Sequence, residues 1–412
     1  MRILRWLRSS VAGRGGRGVR LSRIPYSLLA IILALSFFTG CQPSVAPQLP
    51  SSPTSQLLPS PLPQLPDPAA PHLTPFPVPS HPITPTPQLS PSSTPPFPTS
   101  LPPPITLLFT GIIVPARCVQ AAIDARGNPD YPYEEVREMI SKADLAIGTL
   151  NATISDISPH KGCVRTPVLV GSASNADALG RAGFDLMSVA TNHLKDCSLG
   201  YCGEQAFADT LANLRRVGIQ PVGAGQNLAE AIQPVVATVN GIRFGIVSLG
   251  NINPLVFATE DTPGIAVLNE ENLKASIRAA REISDVVIVM PHWGLEDDPY
   301  PLPQQRKLAQ IAIEAGADLV VGNHPHVIQA IESLDGVMVF YGLGNFVFDQ
   351  TWSIDHQQGV MLQVSFAGAQ MVGYELIPTH VDADGRVHLA AAAEADEILQ
   401  RIERISDAWQ QR

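Results

Sequence analysis

The first 40 residues contain no acidic side chain against seven arginines, and the apolar stretch near their end, Leu28–Phe38, is only eleven residues long. A bilayer span needs roughly 20 residues. The stretch is therefore too short to cross a membrane and fits the apolar part of a secretory leader behind its basic start. Residues 105–412 lack something different, an excess of positive charge. They hold 20 basic against 36 acidic residues, a net charge of −16, which argues against nucleic acid or an anionic bilayer as partner of this part. No CxxC spacing is present, and no repeat of 20–50 residues. The first absence removes the usual cysteine frame for zinc, and the second removes solenoids and propellers.

The leader ends in "FTGC". Small residues before a cysteine resemble the lipobox of bacterial lipoproteins, although Phe38 stands where leucine is usual. The resemblance implies cleavage before Cys41 and lipidation of Cys41, with ordinary secretion or an uncleaved anchor as alternatives. Residues 1–40 are thus expected to be a lipoprotein signal peptide, and the protein to sit outside the cytoplasm, anchored to the bacterial cell membrane. Residues 41–104 hold 23 of the 39 prolines. Such a segment buries no core and samples polyproline II, so it reads as a disordered tether with a reach on the order of 200 Å at most. Residues 105–390 form the expected folded domain, and 391–412 a C-terminal helix. Besides Cys41, four cysteines remain, and an even number in an exported domain reads as two disulfides. Three pairings exist. Cys197 and Cys202 bracket "CSLGYC", where Gly200 permits a tight loop, and Cys118 with Cys163 follows by elimination; cysteine ligation of zinc is the alternative.

From residue 105 onward, apolar β-branched runs alternate with amphipathic helical ones: "ITLLFTG", "DLAIGTL", "FDLMSVA", "IQPVG", "DVVIVM" and "ADLVVG", separated by "YEEVREMISKA", "AFADTLANLRRVG", "LKASIRAAREIS" and "QQRKLAQIAIEAG". This alternation means an α/β fold. The final third, with "VMVFYGLGNFVF", "GVMLQVSF" and "MVGYELIPTHV", predicts antiparallel strands added to that core. Polar clusters sit directly after strands: "TNHLKD" at 191–196, "PHWGLED" at 291–297 and "GNHPH" at 322–326. Ligands of open α/β sheets bind at the carboxyl ends of strands. A lone histidine there is more often a hydrogen-bonded surface residue; three clusters carrying four histidines are a different matter.

Neutral imidazole suits zinc, manganese or iron. Asn192, His292, His324 and His326 are the candidate ligands for one or two such ions. His193 is left free as a general acid or base, and Glu296, four residues beyond His292, is a second base or a partner of the ligands.

These blocks resemble the CapA family of poly-γ-glutamate capsule synthesis proteins, within the calcineurin-like metallophosphatase fold. "TNHLKDCSLG" looks like the family's "NNHxxDxG", "PHWGLE" like "HWGxE", "AGADLVVGNHPHVIQ" like "AGADLVxGxHPHVxQ", and "GLGNFVFD" like "SLGNFxFD". The resemblance implies a four-layer α/β/β/α sandwich, with Asn192, His292, His324 and His326 as metal ligands and His193 as the catalytic histidine. It also implies a role in the synthesis or retention of an anionic capsular polymer, in company with a capsule synthase complex, with hydrolysis of a phosphoester as a further expectation. Two positions depart from the family pattern. Ile112 stands where "GDxMxxR" has its acid, and "TLN" (149–151) stands for "NLE", so Asn151 replaces a carboxylate. A bridging carboxylate helps hold two cations together. Its loss points to a single ion, to a binding protein without catalysis, or to compensation by Asp144, Asp156 or Asp196. A general surface metallophosphoesterase is the remaining alternative.

Overall fold

The computed structural model describes residues 103–157 and 161–412; the expected leader, Cys41 and all but the last two residues of the expected tether lie outside them. Two mixed sheets carry the fold. The first runs in the order Val387–Leu389, Gln370–Val381, Gln358–Ala367, Ile105–Ile113, Leu145–Leu150, Leu186–Ser188, Gln220–Val222, with Asn345–Val347 added in parallel to the end of Ile105–Ile113. The second runs Ile331–Leu334, Val337–Phe340, Leu319–Val321, Val286–His292, Ile242–Gly250, Val235–Val239.

The period-2 alternation of strand side chains assigns each apolar residue to a layer. Phe109, Ile147 and Leu186 of the first sheet meet Phe244, Ile246, Ile288 and Leu319 of the second in one inter-sheet core. The intervening residues Leu108, Ala146 and Met187 face Val119, Leu179 and Phe207 of the helices Cys118–Arg126, Ser174–Ala182 and Gly203–Arg216. Val247, Val287, Val289 and Val320 face the opposite way, onto Leu273 and Ile277 of Glu270–Ile283 and Leu308 of Pro303–Ala315. Central strands are covered on both faces, which is why they read as unbroken apolar runs. The layers are helix, sheet, sheet, helix, as the resemblance implied. The helix Ala392–Gln410 joins both cores, Ile398 and Ile402 entering the inter-sheet layer while Ile405 and Trp409 join the outer one. Among the described residues, no helix is long and apolar enough to cross a membrane.

Three local expectations change. The run "VMVFYGLGNFVF" is not one strand: Val337–Phe340 pairs in parallel with Leu319–Val321 in the second sheet, and Asn345–Val347 crosses to the first. The crossing passes through Gly344, whose φ of 76° favours glycine. The run 133–143 is helical only over Arg137–Lys142, because Tyr133, fully buried and edge-on to Phe184, pins the preceding turn. Finally, the hairpin Val235–Val239 and Ile242–Gly250 was not among the runs read from sequence. Its turn is Asn240-Gly241, with φ of 48° and 83°, the dipeptide that tight hairpins favour.

The disulfides are Cys118–Cys163 and Cys197–Cys202, the pairing expected, so these cysteines are not zinc ligands here.

Candidate metal centre

The polar clusters converge at strand carboxyl ends drawn from both sheets. His292 is the last residue of its strand, and its Nε2 lies 2.9 Å from Asn192 Oδ1. The His292 and His324 rings are 4.8 Å apart, and those of His324 and His326 are 5.9 Å apart. His326 Nδ1 lies 2.9 Å from Asn345 Oδ1, and Phe348 packs beside its ring at 5.4 Å. Glu296, exposed at the rim, has its carboxylate within 4.8 Å of donor nitrogens of both His324 and His326. His193 is held from behind, its Nδ1 2.7 Å from Asp196 Oδ2, which also accepts the Leu169 N–H at 2.6 Å.

The backbone here is held in unfavourable conformations. His324 and His326 adopt φ of 113° and 63°, positions that cost about 1–3 kcal/mol each for a residue with a side chain and persist only where the surroundings enforce them. Gly322 just before them is obligatory for a different reason: a Cβ would meet Tyr341 O at 2.3 Å and Trp293 Nε1 at 2.4 Å. Those are the two atoms of the indole hydrogen bond, 3.0 Å long, that fixes this corner. A second brace is the buried ion pair of Arg117 with Asp349, in which Arg117 Nε donates to both carboxylate oxygens (3.0 and 3.2 Å) and the Cys118 N–H adds a bond of 3.2 Å. It ties the segment after Ile112 to the segment after Asn345.

Burial sets the protonation state. It holds His292 well below the ordinary histidine value, helped by repulsion from His324, His326 and His193. Burial first, then His326 and His193, pushes His324 down to about 3. Burial likewise pushes His326 down to about 4, with the Asn345 bond opposing it. All three imidazoles are therefore neutral near pH 7 and keep a lone pair for a ligand.

The residues present fit a cation. Among the described residues, eleven buried side-chain polar atoms have no hydrogen-bond partner, and six of them belong to Asn151 (both atoms), Asn251, His292, Asn323 and His324. Unpaired buried polar groups are rare and costly, so their concentration in one cleft indicates groups arranged for something other than each other. His292 Nε2 and Asn192 Oδ1, 2.9 Å apart, are close enough for a bound ion to be shared between them.

All six residues expected at the site gather in or at the rim of this cleft. The three carboxylates considered as compensation divide. Asp196 joins through His193, but Asp144 accepts from Thr106 N–H and Oγ1 at the start of its strand, and Asp156 caps the turn at Ser172–Ala173. Neither is placed to replace a ligand. Ile112 lies in register with Thr149 and Asn345, and its side chain is buried with the helix-side core. Three residues of the cleft were not read from sequence. Asn345 orients His326, and His356 Nε2 lies 2.6 Å from Asp297 Oδ1, with both groups close enough to influence His326. Asp297 follows Glu296 directly, and Asn345 lies inside the quoted "GLGNFVFD"; those were the available signals.

An α/β/β/α sandwich with an imidazole cluster at strand ends from both sheets defines a metallophosphatase-like protein. The family described as "Bacterial capsule synthesis protein PGA_cap" matches residues 106–350, and the chain belongs to that family. It is similar to the capsule biosynthesis protein CapA of Bacillus anthracis, 31% identical over 258 residues, covering 60% of this chain and 61% of that protein. It is also similar to the PGA biosynthesis protein CapA of Bacillus subtilis, 31% identical over 247 residues (60% and 63%). A probable polyglutamine synthesis accessory protein of Mycobacterium tuberculosis is 26% identical over 319 residues (72% and 82%). The match thus spans about 61–63% of the length of the two Bacillus relatives. Among solved structures, a putative 5′-nucleotidase from Staphylococcus aureus aligns at TM-score 0.43 and 14% identity, over 73% of this chain and 58% of that one.

Proposed function

We propose that this chain is an extracytoplasmic accessory protein of anionic-capsule biosynthesis, anchored through a lipid on Cys41, whose cleft binds one divalent transition-metal ion through Asn192, His292, His324 and His326. The observation that carries the metal reading is the convergence of four buried neutral donors with unpartnered polar atoms around them. Zinc, manganese or iron suits this donor set, and the absence of a carboxylate at positions 112 and 151 favours one ion over two. The disulfides support export, since they persist in oxidising compartments. The net charge of −16 over residues 105–412 would repel a polyanion, and a cation in the cleft offsets that repulsion where the polymer meets the protein.

A hydrolytic role is favoured by one further observation, the His193–Asp196 pair. A carboxylate oxygen only accepts, so Asp196 fixes the proton on His193 Nδ1 and leaves Nε2 to take a proton or, once protonated, to give one to a leaving group. A bound ion would polarise the phosphoryl or carbonyl oxygen. His356, held by Asp297, forms a polar pair with it beside His326.

The test is the metal content of the purified chain after growth in supplemented medium. Wild type is expected to carry about one transition-metal ion per chain more than His324→Ala; a wild type without metal, or equal metal content in the two, would sink the reading. Capsule polymer unchanged after deletion of the gene would remove the capsular role and leave a general surface phosphoesterase or binding protein.

A further inference from the structure

Among the described residues, a second group of metal-ligating side chains lies outside this cleft: His380, Asp382 and His388, with donor atoms all within 4.8 Å of one another. His380 and His388 stand in direct register across the antiparallel pair Gln370–Val381 and Val387–Leu389, and their rings stack at 5.2 Å with 24° between planes. Asp382 opens the connecting turn, its carbonyl accepting the Gly385 N–H and its own N–H donating to Arg386 O, both at 2.9 Å. Backbone geometry, rather than side-chain wandering, therefore holds the three together.

The hydrogen bonds also set the tautomers. His380 Nδ1 is 2.8 Å from Glu394 Oε1, and His388 Nδ1 is 3.1 Å from Leu389 O. Both partners only accept, so each imidazole keeps its proton on Nδ1 and presents the Nε2 lone pair. An N–H anchored on a carboxylate or carbonyl with the other nitrogen free is the arrangement of ligating histidines. His388 Nε2 lies 3.5 Å from Asp382 Oδ1, too long for a strong hydrogen bond and within the span of two ligands sharing an ion.

We propose that His380, Asp382 and His388 form a second divalent-metal site, of the zinc class, left partly open to solvent. Two imidazoles and a carboxylate are a zinc-type donor set with a position remaining for water. The ion would act as a clamp. Glu394, in the first turn of the C-terminal helix, accepts from both His380 and Gln358 Nε2, the latter at 2.7 Å, so the site joins the last hairpin, that helix and the strand Gln358–Ala367.

The proposal is independent of the cleft and is tested with Zn²⁺ alone, on full-length protein purified without a histidine tag and stripped with chelator. Wild type is expected to take up one more Zn²⁺ per chain than the double variant His380→Ala/His388→Ala, and to show a larger rise in Tm on adding zinc. Glu394→Gln should weaken uptake at this site at least tenfold. Should the double variant fail to fold, His388→Gln serves in its place, with zinc affinity at least tenfold weaker. Equal stoichiometry and an equal Tm rise in wild type and a folded variant overturn the proposal. A cleft variant, His324→Ala, should keep this zinc.

Discussion

Replacing Asn151 by leucine separates the stability of the cleft from its capacity to hold a ligand. The Asn151 side chain is fully buried, and neither Oδ1 nor Nδ2 has a partner. An unpaired buried polar group costs about 1–3 kcal/mol. Counted at the lower end for two atoms, a near-isosteric apolar side chain should stabilise the metal-free protein by about 2 kcal/mol. With about 2.1 cal/mol/K of unfolding entropy per residue over residues 105–412, or about 0.65 kcal/mol/K in all, that is a rise in Tm of about 3 °C. Metal binding should move the other way, because leucine removes the oxygen that stands where the family has a carboxylate. A tenfold loss in affinity takes about 1.4 kcal/mol from the stabilisation by saturating metal, about 2 °C of the metal-induced shift. Scanning calorimetry in chelator and then in manganese or zinc reads both quantities. A leucine variant that is less stable in chelator and keeps the full metal-induced shift would refute the reasoning, since the amide would then be engaged in contacts within the protein.

Further outcomes follow from other parts of the structure. Asp349→Asn leaves the Arg117 guanidinium buried without its charge partner, and urea unfolding should show a loss of about 3–5 kcal/mol; a double variant Arg117→Met/Asp349→Leu should recover most of it, and a single-variant loss under 1 kcal/mol would show that the pair does not brace the site. In chelator, stability should fall as pH falls below the unfolded histidine value of 6.5: His324 and His326, pushed down to about 3 and about 4, take up protons readily only after unfolding. The loss should reach ~3 kcal/mol for His326 alone near pH 4, and urea midpoints that stay flat between pH 7 and pH 4.5 would contradict it. Cys118→Ser with Cys163→Ser opens a 45-residue loop, and chain entropy predicts a loss of about 4 kcal/mol in non-reducing buffer; a loss below 1 kcal/mol would mean that the segment is held by its other contacts.

Much of the site was legible because its signals are local. A buried strand reads as an apolar run, and a ligand group at its end reads as the polar residues that stop the run, so His292, His324 and His326 announced themselves within a few residues of "VVIVM" and "ADLVV". Asn192 and His193 followed a shorter strand in the same way. The tight Cys197–Cys202 loop needed only its spacing. The hairpin at residues 235–250 carries an equally local signal in Asn240-Gly241. Other features had no local signal. The four apolar residues Val337–Phe340 and the three residues Asn345–Val347 look like one strand, and only their pairing with different partners divides them between two sheets.

By itself the sequence determined the α/β class and the strand ends that carry the histidines, since periodicity and residue type are properties of short segments; the acids missing at 112 and 151 stand out only against the pattern of the family it resembles. Tertiary structure alone decided which side chains meet. The sheet crossing at Gly344 brings Asn345 to His326, and the packing of the short helix Ile354–Gln357 against the turn at Asp297 brings His356 to it. The register of the last hairpin sets His380 against His388. Among the spare carboxylates, Asp196 reaches the cleft while Asp144 and Asp156 satisfy backbone amides elsewhere. Proximity between segments, 19 residues apart for His326 and Asn345 and 59 for Asp297 and His356, depends on how sheets stack and strands register, and no pattern within one segment encodes it.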